Sequence, residues 1–200
     1  MAETATPLAR PSAPRPAADA GFSLAEMLVV AALVAIGSAV AIPVTMQMVI
    51  RARHDSSVVV AQTFIDGARD RAVAERRNIE LEFQMPNRMR MYRIEVPSGA
   101  RTLVGDMQLE GAQEFVKISG VSADTPDLFA TGCCGAVTFT GTQPVMFTSD
   151  GSLIDANGDV VNGTVFFGEP NKAETARAVA VFGMTGMLRI WKWRGAQWFQ

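Results

Sequence analysis

Gly21-Phe22-Ser23-Leu24-Ala25-Glu26-Met27-Leu28-Val29-Val30 places one carboxylate at the entrance of an apolar run that meets no further charge until Arg51. The uncharged part, Met27 to Ile50, is 24 residues long, and about 20 apolar residues suffice for a helix to cross a bilayer. An ionisable side chain inside such a segment is costly, so it marks a functional site by default. Two plainer readings fit less of the segment. An ordinary secretory signal cut after Ala39-Val40-Ala41 leaves Glu26 unexplained, and the apolar pattern continues past that point through Val44, Met46, Met48 and Ile50. A simple single-span anchor accounts for the length but not for Glu26.

Upstream of this run, residues 1–20 are rich in Ala and Pro, with Pro7, Pro11, Pro14 and Pro16. That composition predicts a disordered leader that takes no part in the fold. Arg10 and Arg15 precede the apolar run while Arg51 and Arg53 follow it, so the distribution of basic residues does not orient the segment.

The run GFSLAEMLVV resembles the processing site of type IV prepilins and type II secretion pseudopilins. The resemblance implies that prepilin peptidase cuts between Gly21 and Phe22, that Phe22 becomes N-methylated, and that Glu26 is the fifth mature residue. Glu26 is then expected to pair with the amine of Phe22 in a neighbouring subunit. Pro43 falls where these proteins carry a helix-kinking proline. Ser23 stands where Thr is usual and Ala25 where Ile or Val is usual, and the leader of 21 residues is long. The resemblance orients the chain with its C-terminal domain in the periplasm and its anchor in the bacterial inner membrane. Inner-membrane lipid and other pilin subunits are the partners it implies.

The whole chain has 200 residues, 48% of them apolar, and a formal net charge of −2. This suits one modest globular domain on a hydrophobic segment, and nothing in the net charge calls for a nucleic-acid partner. The only cysteines, Cys133 and Cys134, are adjacent. Their α-carbons lie about 3.8 Å apart, below the roughly 4.4–6.8 Å span of ordinary disulfides, so an incidental loop pair is the expectation. No His, Asp or Glu cluster accompanies them, and neither a metal nor another cofactor is expected.

From Phe22 to about Arg77 the sequence predicts one long helix interrupted in geometry at Pro43. Beyond the apolar run, Val58, Ala61, Ile65, Ala68 and Ala72 fall at three- and four-residue spacing, with Arg69, Asp70, Arg76 and Arg77 off the stripe. Ile79, Leu81 and Phe83 then alternate with Glu80, Glu82 and Gln84, as in a half-buried strand. Pro86-Asn87 turns the chain, Tyr92 to Val96 continues as a strand, and Pro97-Ser98-Gly99 ends it. Residues 100–135 read as short strands and loops. Strands are expected again at 136–140, 145–148, 163–167 and across 178–193, the last broken near Gly183 and Gly186. The fold class is α+β, a long N-terminal helix packed on an antiparallel β-sheet domain. The expected organisation is leader 1–21, transmembrane and assembly helix 22–50, amphipathic stalk helix 51–77 and β-rich periplasmic domain 78–200.

Three pieces of the downstream sequence sharpen the resemblance. Ala68-Arg69-Asp70-Arg71-Ala72, Phe147-Thr148-Ser149-Asp150-Gly151 and Thr185-Gly186 resemble segments of the GspH/FimT family of minor pilins and pseudopilins. That family implies a structural subunit and no enzymatic activity. His54, the only histidine, has no catalytic companions in the sequence and reads as a solvated helix position beside Arg51 and Arg53. Asp155-Ala156-Asn157-Gly158-Asp159 begins like a calcium loop, but Val160 replaces the glycine of position six and Phe166 the closing glutamate. Asn157-Gly158 and Asn162-Gly163 read as hairpin turns.

The tail is the candidate binding surface. No acid follows Glu174, while Arg177, Arg189, Lys192 and Arg194 interleave with Trp191, Trp193, Trp198 and Phe199. Such a pattern can hold phosphates and stack on bases, and some FimT-type minor pilins bind DNA through Gly-Arg-x-Arg. Here the aligned residues are Gly186-Met187-Leu188-Arg189, which keep one arginine. The expected reading is a final strand whose tryptophans pack on the sheet or a neighbouring subunit; DNA capture by Arg189, Lys192 and Arg194 is the alternative.

Overall fold

The computed structural model describes residues 23–129 and 135–200. The leader, Gly21, Phe22 and the Cys133-Cys134 pair lie outside the described residues. By internal contacts the chain divides into a unit ending at Thr45 and a unit of Met46–Gln200, and helix α1 (Leu24–Glu75) contributes to both.

In the first unit α1 begins at a cap. Ser23 Oγ accepts from the backbone N–H of Glu26 at 3.1 Å, which satisfies one of the unpaired amides of a helix start. Glu26 thereby occupies the third helical position, where a carboxylate is favoured by the exposed N–H dipoles. Every side chain from Ser23 to Ala39 is exposed. Over the described side chains alone, no helix is long and apolar enough to cross a membrane. Those side chains run unbroken only from Leu24 to Ala39, 16 residues, whereas the uncharged sequence continues to Ile50.

In the second unit the predicted stripe is buried in full: Val58, Ala61, Ile65, Ala68 and Ala72 are at most 1% exposed. Three of the five are alanines, so the helix backbone can sit close to what it covers. It covers two sheets. The first has the order β3-β2-β1-β6-β7, with β1 Ile79–Gln84, β2 Arg88–Ile94, β3 Arg101–Gln108, β6 Val145–Phe147 and β7 Leu153–Ile154. The second runs β11-β10-β9-β8-β4, from β4 Glu114–Phe115 through β8 Gly163–Gly168, β9 Arg177–Phe182 and β10 Met187–Arg194 to β11 Gln197–Phe199. Strand β5, Val137–Phe139, also pairs with β8. All these pairings are antiparallel. The expected helix on an antiparallel sheet domain is present, with the strands divided between two sheets.

Alternation assigns the core. On β8 and β9, Val165, Phe167, Val179 and Val181 join the helix stripe, Ile79, Met89, Phe147 and Leu153 in one cluster. Their neighbours Phe166, Ala178 and Ala180 point to the opposite face and join Ile118, Trp191, Trp193 and Trp198, as a period of two requires. Val116, Val121 and Phe129 pack against this second cluster. Strands β8 and β9 are therefore buried on both faces, and all six residues of β8 are buried.

Three expectations need correction. Residues 101–108 are not short pieces but the eight-residue strand β3, paired with β2 from Arg88↔Gln108 to Ile94↔Arg101. Gly163 does not turn a hairpin; it opens β8 opposite Val181, and Asn162 Oδ1 accepts from Gly183 N at 2.8 Å. His54 is not solvated but 7% exposed. The expected Asn157-Gly158 turn is present between Ile154 and its bridge partner Val160. Asp155 is consumed by it, accepting from the amides of Asn157 (2.8 Å), Asp159 (3.0 Å) and Thr142 (3.0 Å).

Candidate functional site

The tail cations are brought to acids that are remote in sequence. Arg189 on β10 meets Asp127 at 2.6 Å, and the same carboxylate accepts from Trp191 Nε1 at 2.5 Å. Arg177 on β9 and Lys192 on β10 are register partners, and both reach Asp55 on α1. Arg177 donates through Nε and Nη2 at 3.0 Å to one oxygen, and Lys192 at 3.2 Å to the other. Arg177 also donates to the carbonyls of Glu174 and Ala176 at 3.0 and 2.9 Å. Burial opposes ionisation of Asp55, but the hydrogen bonds from Arg177 and Lys192 outweigh it and hold the carboxyl below its usual range. Arg194 lies over the Phe199 ring at 5.4 Å.

The indoles are enclosed. Trp191, Trp193 and Trp198 are between 6 and 8% exposed. Trp193 and Trp198 meet edge to face at 5.3 Å, Phe166 lies 5.9 Å from Trp198, and Trp198 Nε1 donates to Ser122 O at 3.2 Å. Buried rings with paired N–H groups are the usual state of core tryptophan, and they present no face for a stacking base.

The three downstream motifs converge on Arg69. Gly186 (φ +66) sits where a Cβ would lie 2.5 Å from Gly151 O and 2.6 Å from Arg69 Nε. Asp150, next to Gly151 in the chain, has its pKa lowered to about 2 by hydrogen bonds from the Thr148 hydroxyl and from the Ser152 amide and hydroxyl. The motifs thus form a turn-on-helix contact with a packing rationale. Arg69 Nε is buried without a partner.

His54 faces a polar cleft of about 390 Å³ beside Glu110, Gln113, Glu169 and Lys172. Gln113 Nε2 donates to His54 Nδ1, and His54 Nε2 stands 3.9 Å from Glu169 Oε2. Burial lowers the imidazole pKa most; Glu169 pulls it up, and Arg177 and Lys172 push it down further. The ring is therefore neutral at pH 7. A sequence signal for this burial exists, since His54 lies four residues before Val58 on the same stripe.

The N-terminal motif is the remaining site. Glu26 and the apolar side chains Met27, Leu28, Val29, Val30, Leu33 and Val34 are exposed on a capped helix. Residues 17–42 match the prokaryotic N-terminal methylation motif. The N terminus thus carries a methylation motif of the prokaryotic kind. Among solved structures, the chain is similar to the type IV minor pilin FimU of Pseudomonas aeruginosa, at 14% identity and TM-score 0.46, over 75% of this chain and 95% of that one. It is also similar to the minor pseudopilin EpsH of the type 2 secretion system of Vibrio cholerae, at 11% identity and TM-score 0.42, over 68% of this chain and 96% of that one. No curated protein sequence matches the chain.

Proposed function

We propose that this chain is a minor pilin or pseudopilin of the GspH/FimT family, a structural subunit without catalytic activity. Prepilin peptidase cuts it after Gly21, Phe22 is N-methylated, and residues 22–50 hold it in the bacterial inner membrane with the β-rich domain in the periplasm. From there it enters a type II secretion pseudopilus or a type IV pilus. The observation that carries this reading is the coincidence of the methylation motif with a helix whose described side chains from Ser23 to Ala39 are all exposed. An apolar surface of that length has to be covered by lipid or by like helices. Glu26, the fifth mature residue, then pairs with the amine of Phe22 in an adjacent subunit and sets axial register, while Pro43 shapes the helix within the filament.

Co-expression with a prepilin peptidase tests the processing step. Mass spectrometry of the mature N terminus is expected to find Phe22 carrying one methyl group. A mature chain that begins at Ile42 would replace this reading by an ordinary secretory signal.

DNA capture through Arg189, Lys192 and Arg194 is the alternative. What supports assembly over DNA is that Asp127 already pairs with Arg189, that Lys192 is engaged by Asp55, which it shares with Arg177, and that the indoles are enclosed. Among the described residues, Arg194 enters no ion pair. A duplex-DNA titration of the full chain in detergent across a salt series is expected to show no binding beyond that of the Arg194→Gln variant. Tight binding that weakens steeply with salt and is lost in that variant would favour DNA uptake instead.

A further inference from the structure

The cleft beneath the start of the stalk half of α1 holds two polar atoms that the fold leaves unanswered. Gln113 is 2% exposed and its Oε1 has no hydrogen-bond partner; His54 is 7% exposed and its Nε2 has none either. Leaving a buried amide oxygen unpaired is costly, so a site that keeps one is organised for something that supplies a donor. The second wall carries Glu169, whose Oε1 is taken by the Lys172 ammonium while Oε2 faces His54 Nε2 across 3.9 Å, too far for a direct hydrogen bond. Glu110 lines the mouth of the same cleft.

These groups define a ligand by complementarity. With Nδ1 accepting from Gln113, the neutral His54 ring keeps its proton on Nε2. The charged lining is Glu110 and Glu169 against Lys172, two negative charges and one positive. Acceptors outnumber donors: Gln113 Oε1, Glu169 Oε2 and the Glu110 carboxylate stand against the His54 Nε2–H, which is turned toward Glu169 Oε2 across 3.9 Å, and the Lys172 ammonium, which is already on Glu169 Oε1. An anion would meet unpaired oxygens and like charge. A metal ion needs several protein ligands in one shell, and no group of three His, Cys, Asp or Glu among the described residues is placed to hold one. What remains is an organic cation that carries donors only, an ammonium or a guanidinium. Lys172 on Glu169 is an intramolecular instance of that chemistry. A volume of about 390 Å³ lies in the range of about 300–1,000 Å³ typical of ligand clefts and admits a lysine or arginine side chain.

We propose that the His54–Gln113–Glu169 cleft is a binding site for a lysine or arginine side chain of a partner polypeptide, its head group donating to Gln113 Oε1 and to the Glu169 and Glu110 carboxylates. The site is independent of the filament reading, since none of its groups belongs to the N-terminal motif.

His54 is the sole histidine of the chain, so histidine-selective ¹⁵N labelling of the full chain in detergent gives one imidazole to observe. The probes are N-acetyl-lysine methylamide and N-acetyl-arginine methylamide, with N-acetyl-glutamate methylamide as the anionic control and spermidine as the free-polyamine arm. The expected result is a saturable shift of the His54 ring resonances with a cationic amino-acid probe and none with the glutamate probe. Glu169→Gln should weaken that response at least tenfold with unchanged thermal unfolding. Glu110→Gln, at an exposed position, should weaken it severalfold and serves where Glu169→Gln does not fold. No saturable shift, an equal shift with the glutamate probe, or full binding by both variants overturns the proposal. Spermidine binding tighter than both amino-acid probes would reassign the cleft to a free polyamine and overturn the partner-side-chain assignment.

Discussion

Glu26→Ala is expected to leave cleavage after Gly21 and methylation of Phe22 unchanged while lowering incorporation into filaments roughly a hundredfold or more. The proposed pairing puts a carboxylate and an ammonium together among apolar helices. Removing one partner of a buried pair costs about 3–5 kcal/mol, because the other charge is left without compensation, and each 1.4 kcal/mol is a factor of ten. The helix start offers a rival cause, since Glu26 also occupies the third position after the Ser23 cap. That dipole interaction is worth only about 0.3–1 kcal/mol at an exposed helix end, fivefold at most. Glu26→Gln separates the two, because glutamine suits the capping position but carries no charge. Counting subunits in purified filaments beside the mass of the processed N terminus reads both steps. Incorporation of the Gln variant at wild-type level would remove charge pairing as the assembly determinant.

The second large effect is expected at Gly183→Ala, a loss of about 3 kcal/mol or more of domain stability. A Cβ there would lie 2.7 Å from the carbonyl carbon of Val161 and 3.1 Å from its nitrogen, and closer still to the carbonyl oxygen. These are backbone atoms, so no side chain can swing aside, and overpacking alone costs typically 1–3 kcal/mol. Gly183 also ties two segments together: its N–H donates to Asn162 Oδ1 at 2.8 Å and its carbonyl accepts from Leu153 N at 2.7 Å. Separating the strands to admit a methyl group would lengthen both bonds. For a domain of this size about 3 kcal/mol lowers Tm by roughly 6–12 °C. Thermal unfolding followed by near-ultraviolet circular dichroism of the buried tryptophans measures it. Met184→Ala, at an exposed neighbour, should stay within about 0.5 kcal/mol. A Tm change below about 2 °C in the glycine variant would refute the close approach.

The helix and its buried face were legible because a 3.6-residue period has one solution: Val58, Ala61, Ile65, Ala68 and Ala72 could share a face in no other regular structure. Strand β1 was legible for the same kind of reason, although Glu80, expected outside, is 7% exposed because Arg101 covers it at 2.7 Å. Strand β3 escaped notice because its burial is slight on both faces. It is held by backbone pairing to β2 and by Asp106 bridging Arg88 and Arg90 at 2.5 and 3.4 Å, which leaves no apolar alternation to read. Periodicity also says which face a residue takes but not which sheet receives it, so the division into two sheets was invisible.

At the candidate sites the illegible part was charge. Along the chain the tail is unopposed, while Asp127 and Asp55 lie 62 and 137 residues from Arg189 and Lys192. Only the tertiary fold reveals that neutralisation. His54 has basic neighbours in sequence, Arg51 and Arg53, but its four-residue spacing to Val58 points inward, where the fold puts it.

The order in which this core is completed has a consequence for synthesis. The helix stripe emerges from the ribosome first, yet its cover includes Phe147, Val165, Val179 and Val181, and Asp55 waits for Arg177 and Lys192. A nascent chain therefore carries an incompletely covered stripe until nearly its last residues appear, the interval in which unfinished domains aggregate. Three of the five stripe positions are alanine. Small side chains keep that waiting surface slightly greasy rather than adhesive, and much of the bulk that fills the core is delivered by strands that arrive late.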